Sequence, residues 1–143
     1  MIIRACPRVL VYGGRDFNDA DHVGFILDVI RKRYGIAVVI EGEAPGADTL
    51  ARDWAQLMNI PVEPYFAEWQ LFGPRAGTIR NARMLREGKP DLAVGFPGGR
   101  GTADMTRRLA EARVPTMLGC YAGEQVRWTL KQNNSLAPAV HVK

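Results

Sequence analysis

Five short apolar runs, each separated from the next by a segment of helical spacing, constrain this chain more than any other feature. Val9-Leu10-Val11-Tyr12, Ala37-Val38-Val39-Ile40, Pro61 to Phe66, Asp91 to Phe96 and Pro115 to Gly119 read as strands. Between them, Val23, Ile26, Leu27 and Ile30 share one helical face, with Asp19 or Asp21 placed to cap it. Leu50, Ala51, Trp54 and Met58 mark a second helix after Gly46, and further helices are expected from Thr78 to Glu87 and from Thr102 to Ala112. Uniformly apolar strands alternating with helices imply a mainly parallel sheet covered on both faces. The expectation is a three-layer α/β fold with central strand order 3-2-1-4-5. Pro64 places the third strand at an edge, because proline cannot donate to a ladder. In the tail, Glu124 to Lys131 reads as helical, Asn133-Asn134 as a turn and Ala139 to Val142 as a short strand. Without repeats, low-complexity tracts or linkers, residues 1–143 are read as one domain.

Composition narrows the function classes. No apolar run approaches the roughly 20 residues of a membrane span, and the first residues lack a signal-peptide core. A cytoplasmic protein with no membrane partner is expected. Two cysteines, Cys6 and Cys120, make no disulfide framework, and two histidines, His22 and His141, give no zinc cluster. Both cysteines are read as packed thiols, and no metal or cofactor is expected. The only serine, Ser135, lies in the tail, which argues against a Ser–His hydrolase. Residues 1–74 carry 7 basic and 10 acidic groups, net −3, whereas residues 75–113 carry 9 and 4, net +5. A basic middle segment suits a phosphorylated ligand.

The chemistry is expected in the turns. Strand order 3-2-1-4-5 reverses between strands 1 and 4, and ligands of such sheets bind at the carboxyl ends of strands at that switch. The two turns there are Gly13-Gly14-Arg15-Asp16 and Pro97-Gly98-Gly99-Arg100-Gly101-Thr102. A glycine-rich turn leading into a helix lets backbone N–H groups converge on an anion. Thr102 is placed to cap that helix or to bond the same anion. A third turn, Glu41-Gly42-Glu43-Ala44-Pro45-Gly46-Ala47-Asp48, carries three carboxylates. Asp48 there serves either the helix dipole or a ribose hydroxyl, and Glu43 is expected in solvent. Arg80 and Asn81, one turn into the following helix, offer a phosphate fork and an amide. Trp69 and Phe72 are placed either to stack on a base or to pack. Neither G-x-G-x-x-G after the first strand nor G-x-x-x-x-G-K-[ST] is present, which excludes the dinucleotide fingerprint and the P-loop.

Taken in order, Gly13-Gly14-Arg15-Asp16, Gly46-Ala47-Asp48, Trp54-Ala55, Glu68-Trp69, Ala76-Gly77, Arg80-Asn81 with Met84, and Pro97 to Met105 resemble the SLOG superfamily, in its small YspA-type, YpsA-related branch. The likeness runs from residue 8 to about 118. It implies a Rossmann-like fold, a homodimer or higher homo-oligomer, and a site for a nucleoside monophosphate, an ADP-ribose or NAD-type molecule, or a cyclic nucleotide. The related LONELY GUY phosphoribohydrolases carry P-G-G-x-G-T-x-x-E, whose glutamate helps cleave an N-glycosidic bond. Here that position is Met105, and Asp104 beside it diverges by about 100° around a helix.

The leading reading is therefore a sensor or sequestering protein for a nucleotide-derived small molecule. Pro97, Gly98, Gly99, Arg100, Gly101 and Thr102 would hold phosphate, with Gly13, Gly14 and Arg15 opposite. Gly46 is also counted among the ligand-binding residues, Asp48 would face the ribose, and Arg80 and Asn81 would contact the phosphate or sugar. The alternative is a nucleotide N-glycosidase whose acid is one of Glu43, Asp48, Asp16 and Asp104. A third reading is single-stranded nucleic acid, against which the arginines are not interleaved with aromatics.

Overall fold

A computed structural model describes residues 3–122, 125–130, 135–136 and 140–141, with side chains described to residue 118. Strands β1 (Arg8–Tyr12), β2 (Val38–Glu41), β3 (Val62–Pro64), β4 (Leu92–Gly95) and β5 (Thr116–Ala122) form a parallel sheet in the order β3-β2-β1-β4-β5. The register sets Leu10 between Ile40 and Ala93, and Tyr12 beside Gly95. β3 is short and lies at the free edge, as Pro64 requires.

Alternation along each strand sorts the core into two faces. Val9, Val11, Val39, Leu92 and Val94 face helices α1 (Ala20–Tyr34) and α2 (Ala47–Leu57), meeting Val23, Ile26, Leu27, Ala51 and Trp54. Leu10, Tyr12, Ile40 and Ala93 face the other way. They meet Met84 on α4 (Ala76–Gly88) and Met105 and Leu109 on α5 (Arg100–Glu111). Burying each such Val, Leu or Ile contributes roughly 1.5–3 kcal/mol, which fixes the three-layer stack. Asp19 caps α1, its carboxylate accepting from the His22 amide at 3.0 Å. A single helical turn, α3 (Trp69–Phe72), and a 3-10 turn (Gly73–Arg75) lead into α4.

The tail departs from expectation. Residues expected to be helical form strand β6 (Gln125–Leu130), antiparallel to β5. Val126, Trp128 and Leu130 alternate with Gln125, Arg127 and Thr129, a period of two that suits a strand. β7 (Ser135–Leu136) and β8 (Val140–His141) both pair antiparallel with β6. The expected turn at Asn133-Asn134 lies outside the described residues. Cys6 is exposed rather than packed, and the Cys120 side chain lies outside those described. Among the described residues, no helix is long and apolar enough to cross a membrane.

Candidate functional site

The turns after β1, β2 and β4 meet at the carboxyl edge of the sheet. The Gly14 amide donates to the Pro97 carbonyl at 2.9 Å, and the Gly14 carbonyl accepts from Phe17 and Ala47, each at 3.2 Å. Absent side chains make this seam possible. A Cβ on Gly14 would lie 2.7 Å from the Pro97 oxygen, and one on Gly98 would lie 2.6 Å from the Gly14 nitrogen. Gly46 combines φ +84° with a Cβ position 2.1 Å from the Gly14 oxygen, so no other residue fits there. Behind the seam, Phe17 and His22 pack on Phe96, with ring centroids 5.1 and 5.6 Å away.

In front of the seam, on the α4–α5 side, lies a cleft of about 350 Å³. One wall is the N-terminus of α5. Gly99 is its N-cap, no side chain caps it, and its first turn holds no acidic residue. The amides of Arg100, Gly101 and Thr102 therefore have no intrahelical acceptor. The glycines here differ from those of the seam, since a Cβ on Gly99 or Gly101 would meet nothing within 4 Å. Arg15 and Arg100 line the cleft and form no hydrogen bond or ion pair among the described residues. The expected Thr102 cap is not made; Gly99 takes that position, and Thr102 lines the cleft.

The opposite wall carries charge that the chain has already satisfied. Asp48 is 5% exposed, and its Oδ2 accepts from the Gly42 amide at 3.1 Å and the Ala44 amide at 3.4 Å. Burial pushes its carboxyl up to about 6, opposed by the Arg80 guanidinium and the two amides. Arg80 donates through Nη1 to the Gly42 carbonyl and through Nε to Asn81 Oδ1 at 3.0 Å. Burial draws Arg80 below its ordinary value, against the pull of Asp48 and Glu41. Beneath them Glu41 is fully buried; its Oε2 accepts from the Glu43 amide, and its Oε1 has no hydrogen-bond partner among the described residues. Burial, then the neighbouring Glu43, pushes the Glu41 carboxyl up to about 8.

The floor is Tyr12, Met84 and Met105. Tyr12 Oη lies 2.7 Å from Thr106 Oγ1, which donates to the Thr102 carbonyl at 3.0 Å. Burial pushes the Tyr12 phenol up to about 12. Asn81 is buried and joins the two helices, its Nδ2 donating to the Gly101 carbonyl at 3.2 Å and to Asp104 Oδ2 at 3.1 Å.

Of the residues singled out in the sequence, Gly13, Gly14, Arg15, Asp16, Asp48, Arg80, Asn81, Gly99, Arg100, Gly101 and Thr102 line this cleft. Gly46 and Gly98 belong to the seam, as does the Pro97 carbonyl. Glu43 lines an adjoining recess, and its side chain is only 19% exposed rather than free in solvent. Asp104 lines neither. Burial alone would raise its carboxyl, but hydrogen bonds from Asn81, Arg108 and Arg107 outweigh burial and hold it below the ordinary range. Met105 stands 1% exposed at the floor, so the two neighbours do diverge. Trp69 lines both cleft and recess, Phe66 lines the recess, and Phe72 lines neither. Sequence reasoning passed over Tyr12 and Phe66, and took Glu41 only as a turn carboxylate and not as a buried one. All three end or follow a strand at the carboxyl edge, the one available signal.

Three likenesses bear on this arrangement. The family model described as the YspA, cpYpsA-related SLOG family matches residues 7–72, which include the seam turns after β1 and β2. The Gene 61 protein of Mycobacterium phage D29 is 37% identical over 119 residues, covering 77% of this chain and 94% of that protein. DNA processing protein A (DprA) from Streptococcus pneumoniae superposes with a TM-score of 0.65 at 16% identity, over 82% of this chain and 51% of that one. The chain thus spans about half the length of DprA, and this likeness shows the fold. With the strand order, the joined turns and these matches in agreement, the chain belongs to the YspA, cpYpsA-related SLOG family.

Proposed function

We propose that this protein binds a phosphorylated, nucleotide-derived small molecule, with its phosphate at the first turn of α5, as a sensor or sequestering protein. One observation carries the reading. No side chain caps the α5 N-terminus, its first turn holds no acidic residue, and it stands in a cleft beside Arg15 and Arg100, which have no partner among the described residues. Such a helix end supplies convergent N–H donors and about half a positive charge. The open Cβ positions at Gly99 and Gly101 let an anion reach the backbone. Nucleoside monophosphates, ADP-ribose or NAD-type molecules and cyclic nucleotides all offer the required group. A thermal-shift series over these compounds tests the reading. Ligand at a hundredfold excess over Kd stabilises the fold by about 2.7 kcal/mol, and a flat response across the panel ends the proposal.

A second reading, hydrolysis of an N-glycosidic bond, is favoured by Asp48, a carboxyl at the cleft wall raised to about 6. An oxocarbenium-like transition state gains from a nearby carboxylate. Release of free base from a saturating nucleoside monophosphate, lost in Asp48→Asn, is the expected sign. Binding without base release removes it for that substrate class.

A further inference from the structure

The cleft does not end at Arg80. It continues, past Arg15, Ala44, Trp69 and Arg80, into a recess of about 240 Å³ between the turn after β2 and the turn after β3. This recess differs in chemistry from the α5 wall. Pro45, Phe66, Ala67 and Trp69 give it apolar sides, and Glu43 supplies a carboxylate. Phe66 is 63% exposed and Trp69 49%, although both are large apolar side chains beside a well-filled core. Trp69 is nevertheless seated. Its Cη2 lies 3.4 Å from the Cβ position of Gly77, the second residue of α4, so a glycine gives the indole its place on the helix. The turn carrying Phe66 is tied to the sheet by the Tyr65 amide, which donates to the Glu41 carbonyl at 2.9 Å.

We propose that this recess is a base subsite, in which a planar nucleobase stacks on Trp69 and Phe66 and gives an N–H to Glu43. The inference rests on the phosphate reading above and extends it by naming the other end of the ligand. Aromatic faces suit a base because every base has a π-face to stack. A carboxylate suits its edge because an ionised carboxylate only accepts, whereas base edges present ring or exocyclic N–H donors. Arg80 and Arg15 stand at the junction of cleft and recess, where a ligand running from phosphate to base would pass.

Calorimetric titration with ribose 5-phosphate, adenosine 5′-monophosphate and guanosine 5′-monophosphate separates the two claims. At least one nucleotide is expected to bind about tenfold or more tightly than ribose 5-phosphate. Phe66, which lines the recess and not the cleft, gives the clean variant: Phe66→Ala should weaken nucleotide binding by about five- to 150-fold, the range for one base–aromatic stack, and leave ribose 5-phosphate binding unchanged. Phe66→Tyr should restore most of the loss. Equal affinity for nucleotides and ribose 5-phosphate, or equal weakening of both by Phe66→Ala, overturns the base subsite while the phosphate reading survives. No binding of any of the three overturns the phosphate reading, and the subsite with it.

Discussion

Helices α2 and α5 begin alike and end up in opposite situations. Each follows a glycine-rich turn at the carboxyl edge of the sheet, and each has a glycine N-cap with no side-chain cap. The start of α2 is filled by the chain itself. Gly46 is wedged against the Gly14 carbonyl, Asp48 stands in the first turn, and its carboxylate gathers the Gly42 and Ala44 amides. The start of α5 has no acidic group, open glycine positions and an arginine with no partner among the described residues. A glycine turn before a helix is thus two different objects. At α2 the missing Cβ atoms serve chain-to-chain contact and the anion is internal. At α5 they leave space that nothing in the described chain occupies.

The largest effect that could break this contrast is on stability. Gly46→Ala must place a Cβ at a positive φ and 2.1 Å from a backbone oxygen, so a loss of about 3 kcal/mol or more is expected in urea unfolding. Gly99→Ala in the same assay should stay within about 0.5 kcal/mol, since its Cβ meets nothing. Equal costs for the two would erase the distinction.

Next comes pH. Glu41 is raised from 4.5 to about 8 in the folded protein, so over that interval the native state holds a proton that the unfolded chain has released. Its stabilisation is complete below about pH 4.5 and is lost as pH rises through about 8, with a slope of up to about 1.4 kcal/mol per pH unit. Asp48, raised to about 6, acts in the same direction over a lower window. Denaturation midpoints should therefore fall from pH 5 to 8, and Glu41→Gln should flatten that slope. A rising wild-type profile contradicts the burial argument.

Smaller effects sharpen the picture. Asp48→Ala leaves the Gly42 and Ala44 amides without their acceptor, and about 1–3 kcal/mol of stability should be lost. Arg100→Ala removes a cation with no partner among the described residues, so stability should hold within about 0.5 kcal/mol. Its affinity for ribose 5-phosphate should fall about tenfold, equivalent to about 1.4 kcal/mol. Unchanged affinity would move the anion away from α5.

The sheet order was legible because β1, β2 and β4 are almost wholly apolar, a pattern that only a strand buried on both faces sustains. That the Gly13–Gly14 and Pro97–Gly101 turns are neighbours follows from that order. Which glycines serve the seam was not legible, because Gly98 and Gly99 are identical in sequence and differ only in what surrounds them. The burial of Glu41, counted in the sequence only as one of three turn carboxylates, was not legible for a related reason. A glutamate ending an apolar run reads as the start of a loop, and its burial depends on the turn that folds back over it. The strand at Gln125–Leu130 was expected to be helical, although its apolar residues alternate with a period of two.

Asn81 has a consequence beyond its own hydrogen bonds. Its amide joins α4 to the first turn of α5, and its oxygen accepts from Arg80 next to it. The spacing between the guanidinium and the open helix end is therefore set once, during folding. Under the proposed reading, a guest entering the cleft would meet a ready-made gauge, and little further loss of freedom would be needed to close the grip.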